Sequence, residues 1–253
     1  LDGLSGKRTV SASDWISFFN SLNISGDVPI TLQGGEPTTH PEFYDIISGV
    51  NLEGKSFNLM TNLNFDVVEF SDKVPPEMFN RKAPFPSIRV SYHVGQVGRS
   101  ILIDRMRYLV ERGYNIGLYM LDHPKWAEEI KATREVCAQY RIDFRLKEYL
   151  DRSVSPDMFK YHYDKDVSVM CRNNDLIVGP DLRVYKCHYD LYTGRDAIID
   201  IRRESPASLS PVWVKCSYPT KCNPCDVKIK NNRFQEWGYC SVEIEKNAEG
   251  FDN

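Results

Sequence analysis

Four cysteines late in the chain have types and spacing suited to a metal centre. Cys222-Asn223-Pro224-Cys225 is a C-x2-C knuckle, whose tight turn presents two sulfurs to one centre. Cys171 and Cys187 bracket a stretch that reads as a hairpin and could bring two more thiolates together. Four thiolates suit Zn2+ or an iron–sulfur cluster, since both favour soft ligands, and spacing does not separate them. Cys216 and Cys240 flank the knuckle and could substitute for a ligand; burial as small apolar side chains is the plainer alternative. For Cys137, alone in the first 170 residues and on a helical stretch, burial is the expectation. The count of seven is odd and no secretory signal is visible, which argues for metal chemistry over a disulfide framework and for a cytoplasmic location.

A second candidate lies near the start, in "ITLQGGEPTTHPEF" (residues 30–43). An apolar run of strand length ends in Gly34-Gly35-Glu36-Pro37, and a helical pattern follows. A hairpin would prefer Asn-Gly or Asp-Gly and a second strand. Two missing side chains let a ligand approach the backbone closely, and Glu36 could accept hydrogen bonds from a ligand ammonium. A Gly-Gly turn with an exposed glutamate is the bland alternative. The next two apolar runs also end in small or polar groups, Thr61-Asn62 and Ser91-Tyr92-His93. Three such ends in a row would make a polar rim around one mouth.

The elements that must position these groups alternate in type. Trp15, Phe18, Phe19 and Leu22 recur at helical spacing over residues 12–22, with Ser13 or Asp14 as the cap. Strands are expected over 28–32, 57–60, 88–92, 116–121 and 144–149. Helices are expected over 41–50, 100–112 and 125–140, and a Pro-rich irregular stretch over 74–86. A repeating β-α order implies parallel strands with right-handed crossovers. The fold class is therefore α/β, and five strands fit an open or partial (β/α) barrel. In parallel α/β architectures ligands sit at the carboxyl ends of the strands, where the glycine-glutamate turn falls. Beyond Asp151 the pattern is lost, which sets two domains, 1–151 and 152–253, with the boundary near 151–168. Within the second, residues 176–178 and 183–186 read as two strands joined by a Gly179-Pro180-Asp181 turn.

Composition agrees with an ordinary globular chain: 253 residues, 42% hydrophobic, 26% charged. A net charge of −3 offers no overall field for nucleic acid, so none is expected as a partner. No apolar run approaches the length of about 18 residues that a membrane helix needs.

Together these segments resemble the radical S-adenosylmethionine (radical SAM) enzymes. "LQGGEPTTHPEF" resembles the GGEP motif of that family, and "CRNNDLIVGPDLRVYKCH" followed by "CNPC" is similar to its auxiliary-cluster region, called SPASM or, when shorter, twitch. The resemblance spans about residues 12–240. It implies a partial (β/α)6-type parallel barrel with its first strand missing, followed by a small cysteine-rich cluster-binding domain. It implies that Gly34, Gly35 and Glu36 hold the methionine amino group of S-adenosylmethionine, with Ser91 near its carboxylate or ribose. Thr61, Asn62 and His93 complete the expected cofactor-binding set. Cys171, Cys187, Cys222 and Cys225 would ligate one auxiliary [4Fe–4S] cluster. An electron donor such as flavodoxin or ferredoxin is implied as well. Reductive cleavage of the cofactor would give a 5'-deoxyadenosyl radical for hydrogen abstraction from a peptide or small-molecule substrate.

The family's C-x3-C-x2-C motif, which binds the second, radical-generating [4Fe–4S] cluster, is not among these residues. A leading segment lost by truncation or disorder would explain its absence, the missing strand and the start at Leu1 together. The alternative is a non-catalytic iron–sulfur or zinc protein that keeps the fold in degenerate form. A plain zinc-ribbon module leaves the polar strand ends unexplained. Tyr119, Arg145, Lys147 and Glu148 on the last two strands are possible substrate contacts, of which alternation would point only some inward. Lys228, Lys230 and Arg233 near the knuckle could tune a cluster or form a solvated surface.

Overall fold

Aromatic residues spaced along one helical face, with a serine just before them, set the first element. In the computed structural model, which describes residues 9–24, 28–149, 168–173, 175–195, 197–205, 212–216 and 242–246, α1 spans Ala12–Ser21. Its N-cap is Ser11, not Ser13 or Asp14. Ser11 keeps an extended backbone, and its Oγ accepts from the Asp14 N–H at 3.3 Å, satisfying one of the orphan donors of the first turn. Phe18 and Phe19 are buried, and Phe19 meets Phe57 edge-on at 6.1 Å.

Five strands form one parallel sheet in chain order: β1 (Ile30–Leu32), β2 (Phe57–Thr61), β3 (Ile88–Ser91), β4 (Ile116–Asp122) and β5 (Asp143–Glu148). The helices between them are α2 (Phe43–Ser48), α3 (Val67–Lys73), α4 (Arg99–Val110) and α5 (Ala127–Gln139). Because the strand order never reverses, right-handed crossovers place these helices on one face. Each packs on the next along the series from α1 to α5. Phe57, Leu59, Ile88, Val90 and Leu118 are fully buried within this α/β layer. All five expected strands are present. β1 begins two residues later than expected, and a 3-10 turn, Pro124–Trp126, precedes α5.

One helix was not expected. In α3, Asp66 caps the start by accepting from the N–H groups of Val68 (2.8 Å) and Glu69 (3.2 Å). Seven residues that bury only Phe70 leave no periodic trace in the sequence. The stretch expected to be irregular carries a 3-10 turn, Pro76–Phe79, whose Met78 and Phe79 are buried.

After that turn, residues 81–86 approach the sheet at Gly117. A Cβ there would stand 2.5 Å from Pro86 Cγ and 3.1 Å from the Asp143 Cβ and backbone oxygen. The pyrrolidine ring cannot swing aside as a long side chain would. Gly117→Ala is therefore expected to lower stability by about 1–3 kcal/mol, read as a fall in the urea midpoint at unchanged m-value.

Residues Ser11–Tyr149 make one compact unit, and the described residues from 168 onward belong to a second. The second holds β6 (Val169–Asn173), β7 (Ile177–Val178), β8 (Arg183–Tyr185), β9 (Ala197–Asp200), β10 (Val214–Lys215) and β11 (Val242–Lys246). They form two antiparallel sheets, β10-β6-β11 and β7-β8-β9. The expected hairpin is β7–β8, one residue shorter in each strand. A short helix, α6 (His188–Thr193), ends on Gly194 in the left-handed region at φ 65°. Among the described residues no helix is long and apolar enough to cross a membrane.

Candidate functional site

Parallel pairing in chain order lines up the carboxyl ends of all five strands along one edge of the sheet. Gly34, Gly35 and Glu36 follow β1 at that edge, next to the end of β2. Gly34 has φ 141°, a region that L side chains rarely adopt, so only glycine makes this exit without strain. Gly35 has no such constraint, and a Cβ on it would meet nothing within 4 Å. Internal packing therefore does not demand glycine at 35. Among the described residues the carbonyls of Gly34 and Gly35 accept no hydrogen bond.

Glu36 is the hub of this edge. Its Oε1 accepts from Thr38 Oγ1 at 2.7 Å and from the Thr38 N–H at 3.3 Å, capping the 3-10 turn Pro37–Thr39. Thr61 Oγ1 donates across both carboxylate oxygens, at 2.9 and 3.0 Å, and the Asn62 N–H donates to Oε2 at 2.7 Å. One charged group thus ties the exit of β1 to the end of β2, 25 residues away along the chain. The carboxylate serves as a brace whose lone pairs are largely engaged by the protein, more than as an open acceptor.

The β2 end is itself held firmly. Thr61 is buried and accepts from the Leu63 N–H at 2.9 Å. Leu63 sits at φ 57° with its side chain fully buried, an unfavourable backbone state for a leucine. Arg105 of α4 donates to its carbonyl at 2.9 Å, and Asn62 Oδ1 accepts from the Asn64 N–H at 2.9 Å.

Ser91 and His93 lie on the adjoining strand end and make no hydrogen bond to Glu36, Thr61 or Asn62. Ser91 is half-buried and stands opposite Tyr119 of β4; His93 is exposed, and its carbonyl accepts from the Gln96 N–H at 3.1 Å. The seven expected cofactor-binding residues therefore fall into a bonded group of three (Glu36, Thr61 and Asn62), the two glycines that precede it in the chain, and two outliers on the next strand. Thr38 and Arg105 belong with the group and were missed. Thr38 stands two residues after the glutamate and so was findable, whereas nothing local marks Arg105.

The register the sequence left open is set by β4–β5 pairing. Tyr119 stands opposite Arg145 and Leu121 opposite Lys147, so Tyr119, Arg145 and Lys147 share a face. The Lys147 ammonium lies 5.2 Å from the Tyr119 ring centre. Glu148 takes the register position opposite Asp122.

A cleft between α4 and α5 offers less. Its polar groups pair with one another: Tyr92 Oη donates to Glu129 at 2.8 Å, and Arg99 Nη1 lies 3.2 Å from the other Glu129 oxygen. Burial, helped by Glu129, pushes the Tyr92 phenol up to about 12.

In the second unit, β6–β10 pairing sets Val214 opposite Cys171. Cys171 and Cys216 share a thiol hydrogen bond, which together with burial holds the Cys171 thiol far above its ordinary range. Lys186, whose Nζ donates to the Lys215 carbonyl at 3.0 Å, acts in the opposite direction. Cys187 is the N-cap of α6, donates to Asp190 Oδ2 at 3.4 Å, and is pushed up to about 12 by burial. The described structure thus juxtaposes Cys171 with Cys216, while Cys187 stands on a different element. Cys222, Cys225 and Cys240 lie outside the described residues, and so do Lys228, Lys230 and Arg233. Among the described residues no three metal-ligating side chains converge. Cys137 is buried in α5, its thiol pushed up to about 11 by desolvation.

Comparison with protein-family models, with curated proteins and with solved structures found no match for this chain.

Proposed function

We propose that this chain is the barrel and auxiliary-cluster portion of a radical SAM enzyme acting on a small-molecule or peptide substrate. The observation that carries the reading is the β1 exit. A glutamate braces two adjacent strand ends, beside two glycines whose carbonyls accept no bond among the described residues and which both have open space above them. Open carbonyls beside a carboxylate suit an ammonium group, and close approach to the backbone is what Gly35 permits. The singly wound parallel sheet supports a partial (β/α)6-type barrel, since its strand ends turn a common rim toward a ligand.

On this reading Gly34 and Gly35 hold the methionine amino group, Glu36 fixes the rim, and Thr61 and Asn62 fix Glu36. When bound, S-adenosylmethionine reduced at a [4Fe–4S] cluster supplies the 5'-deoxyadenosyl radical. The chain's own residues bind it, orient it and keep water from it. In the tail, the thiolates of Cys171, Cys187, Cys222 and Cys225 suit an iron–sulfur cluster, and the contact with Cys171 supports Cys216 as the cysteine that could replace one of them.

The test is anaerobic iron and sulfide analysis with Mössbauer spectra, on these 253 residues and on the full-length gene product. The reading requires that product to hold C-x3-C-x2-C ahead of α1. The expected result is roughly four irons in the shorter protein and roughly eight in the longer. Zinc in place of iron, or no gain on extension, would overturn it in favour of a non-catalytic metal-binding protein.

A further inference from the structure

The β3 sequence Ile88-Arg89-Val90-Ser91 alternates, with Ile88 and Val90 fully buried and Arg89 and Ser91 half-buried on the opposite face. Register extends that face across the sheet. Arg89 stands opposite Gly117 and Gly117 opposite Asp143; Ser91 stands opposite Tyr119 and Tyr119 opposite Arg145. The 81–86 segment brings a third guanidinium and an aromatic ring. Phe85 lies 4.9 Å from the Arg89 guanidinium carbon and 5.3 Å from that of Arg81. Arg81 Nη1 donates to Asn58 Oδ1 at 3.2 Å, and Arg145 Nη2 donates to the Pro84 carbonyl at 2.9 Å.

Asp143 is engaged by Arg145, with Nε to Oδ1 at 2.7 Å and Nη2 to Oδ2 at 3.1 Å. Among the described residues Arg89 has no carboxylate partner; its Nε makes a long 3.4 Å contact to the Pro86 carbonyl, and its two Nη groups meet no acceptor. The Tyr119 and Ser91 hydroxyls beside it likewise make no hydrogen bond among the described residues. Burial first, then the Arg81 and Arg145 charges, push the Arg89 pKa down, opposed by Tyr119. An arginine does not discharge under such a load, so the site keeps a half-buried cation whose Nη groups are open to a ligand.

We propose that this face is an oxyanion site, in which the Nη pair of Arg89 binds a carboxylate or phosphate group flanked by the Tyr119 and Ser91 hydroxyls. Two free N–H groups on one planar fork match the two oxygens of either anion. Arg89 lies two residues before the end of β3, about 7 Å below the rim, which separates it from the cofactor's expected place by one pleat. The occupant is therefore the acidic group of the substrate; that assignment rests on the function proposed above, while the anion site does not.

The test titrates the purified chain with inorganic phosphate and, separately, with succinate, against sodium chloride at equal ionic strength, following thermal midpoint and isothermal heat. Saturable binding of one anion is expected, weakened about tenfold or more in Arg89→Met. Without anion, Arg89→Met should unfold at the same temperature as the parent or higher, because it removes a half-buried cation that Arg81 and Arg145 repel. Arg89→Lys should retain part of the binding and guards against a variant that fails to fold. Preference for phosphate or for succinate names the headgroup. Equal responses in parent and Arg89→Met, or an Arg89→Met that is destabilised while the parent ignores both anions, would overturn the site and make Arg89 a structural cation. Displacement of the anion by free methionine would overturn the substrate assignment and give the site to the cofactor's carboxylate. Neither titration needs iron or S-adenosylmethionine, so failure of the radical SAM reading and failure of the anion site are separately visible.

Discussion

Glu36→Gln is expected to lower stability by about 1–2 kcal/mol and to weaken S-adenosylmethionine binding about tenfold or more. The substitution keeps shape and removes one acceptor. The carboxylate receives the Asn62 N–H on one oxygen and the Thr38 N–H on the other. A carboxamide has one oxygen, so either orientation turns its NH2 toward a backbone donor. Threonine hydroxyls can rotate to accept, but a backbone N–H cannot. The site is half-buried, so water offsets part of the loss and keeps the stability cost below that of a buried charged hydrogen bond. Urea denaturation measures the first effect, and calorimetric titration of cofactor into the cluster-loaded, full-length protein measures the second. Unchanged stability would mean that the brace between β1 and β2 does not hold in solution. Lost stability with unchanged cofactor affinity would make Glu36 a brace only, and the cofactor would have to bind elsewhere.

The largest effect on stability is expected at Phe70. Phe70→Ala should cost about 3–5 kcal/mol, a large share of the roughly 5–15 kcal/mol that holds a typical domain folded. Its ring is fully buried, with ring centres of Phe65 at 5.0 Å, Tyr114 at 5.6 Å and Phe79 at 6.2 Å. Two of these neighbours are anchored from elsewhere. Phe79 belongs to the 3-10 turn, and the Tyr114 hydroxyl donates to the Val74 carbonyl. They cannot collapse into the space a deleted ring would leave, so the cavity persists and the penalty stays near the upper range. Val68, on the same helix but 48% exposed, is the internal control, and Val68→Ala should stay within about 0.5 kcal/mol of the parent. A loss at Phe70 of less than about 1.5 kcal/mol would show that the cluster relaxes, and that α3 is not the wedge its packing suggests.

Both positions show where sequence reading reaches and where it stops. Glu36 was legible because its neighbours announce it: an apolar run, two glycines and a proline mark the end of a buried strand. What the carboxylate does was not legible. An acceptor for a ligand ammonium was expected, whereas the folded chain engages it with Thr38, Thr61 and Asn62. Phe70 was invisible as a core residue because seven helical residues with one buried side chain have no period to detect. Arg89 was in plain view in an alternating strand, yet it carries no message until Arg81, Tyr119 and Arg145 are brought beside it.

By itself the sequence determined the α/β class, the five strands, the β7–β8 hairpin, the glycine exit at 34 and the burial of Cys137. Each of these depends on periodicity, backbone freedom or capping within a few residues, and such terms act whatever the rest of the chain does. Only the tertiary structure decided the Glu36 brace across 25 residues, the pairing of Cys171 with Cys216, and the convergence of Arg81 and Arg89 on Phe85 with Arg145 anchored beside it on the Pro84 carbonyl. Those depend on strand register and on where a connecting segment crosses the sheet. A one-residue slip of β3 would turn Arg89 to the helix face and Val90 into its place, with every local signal unchanged.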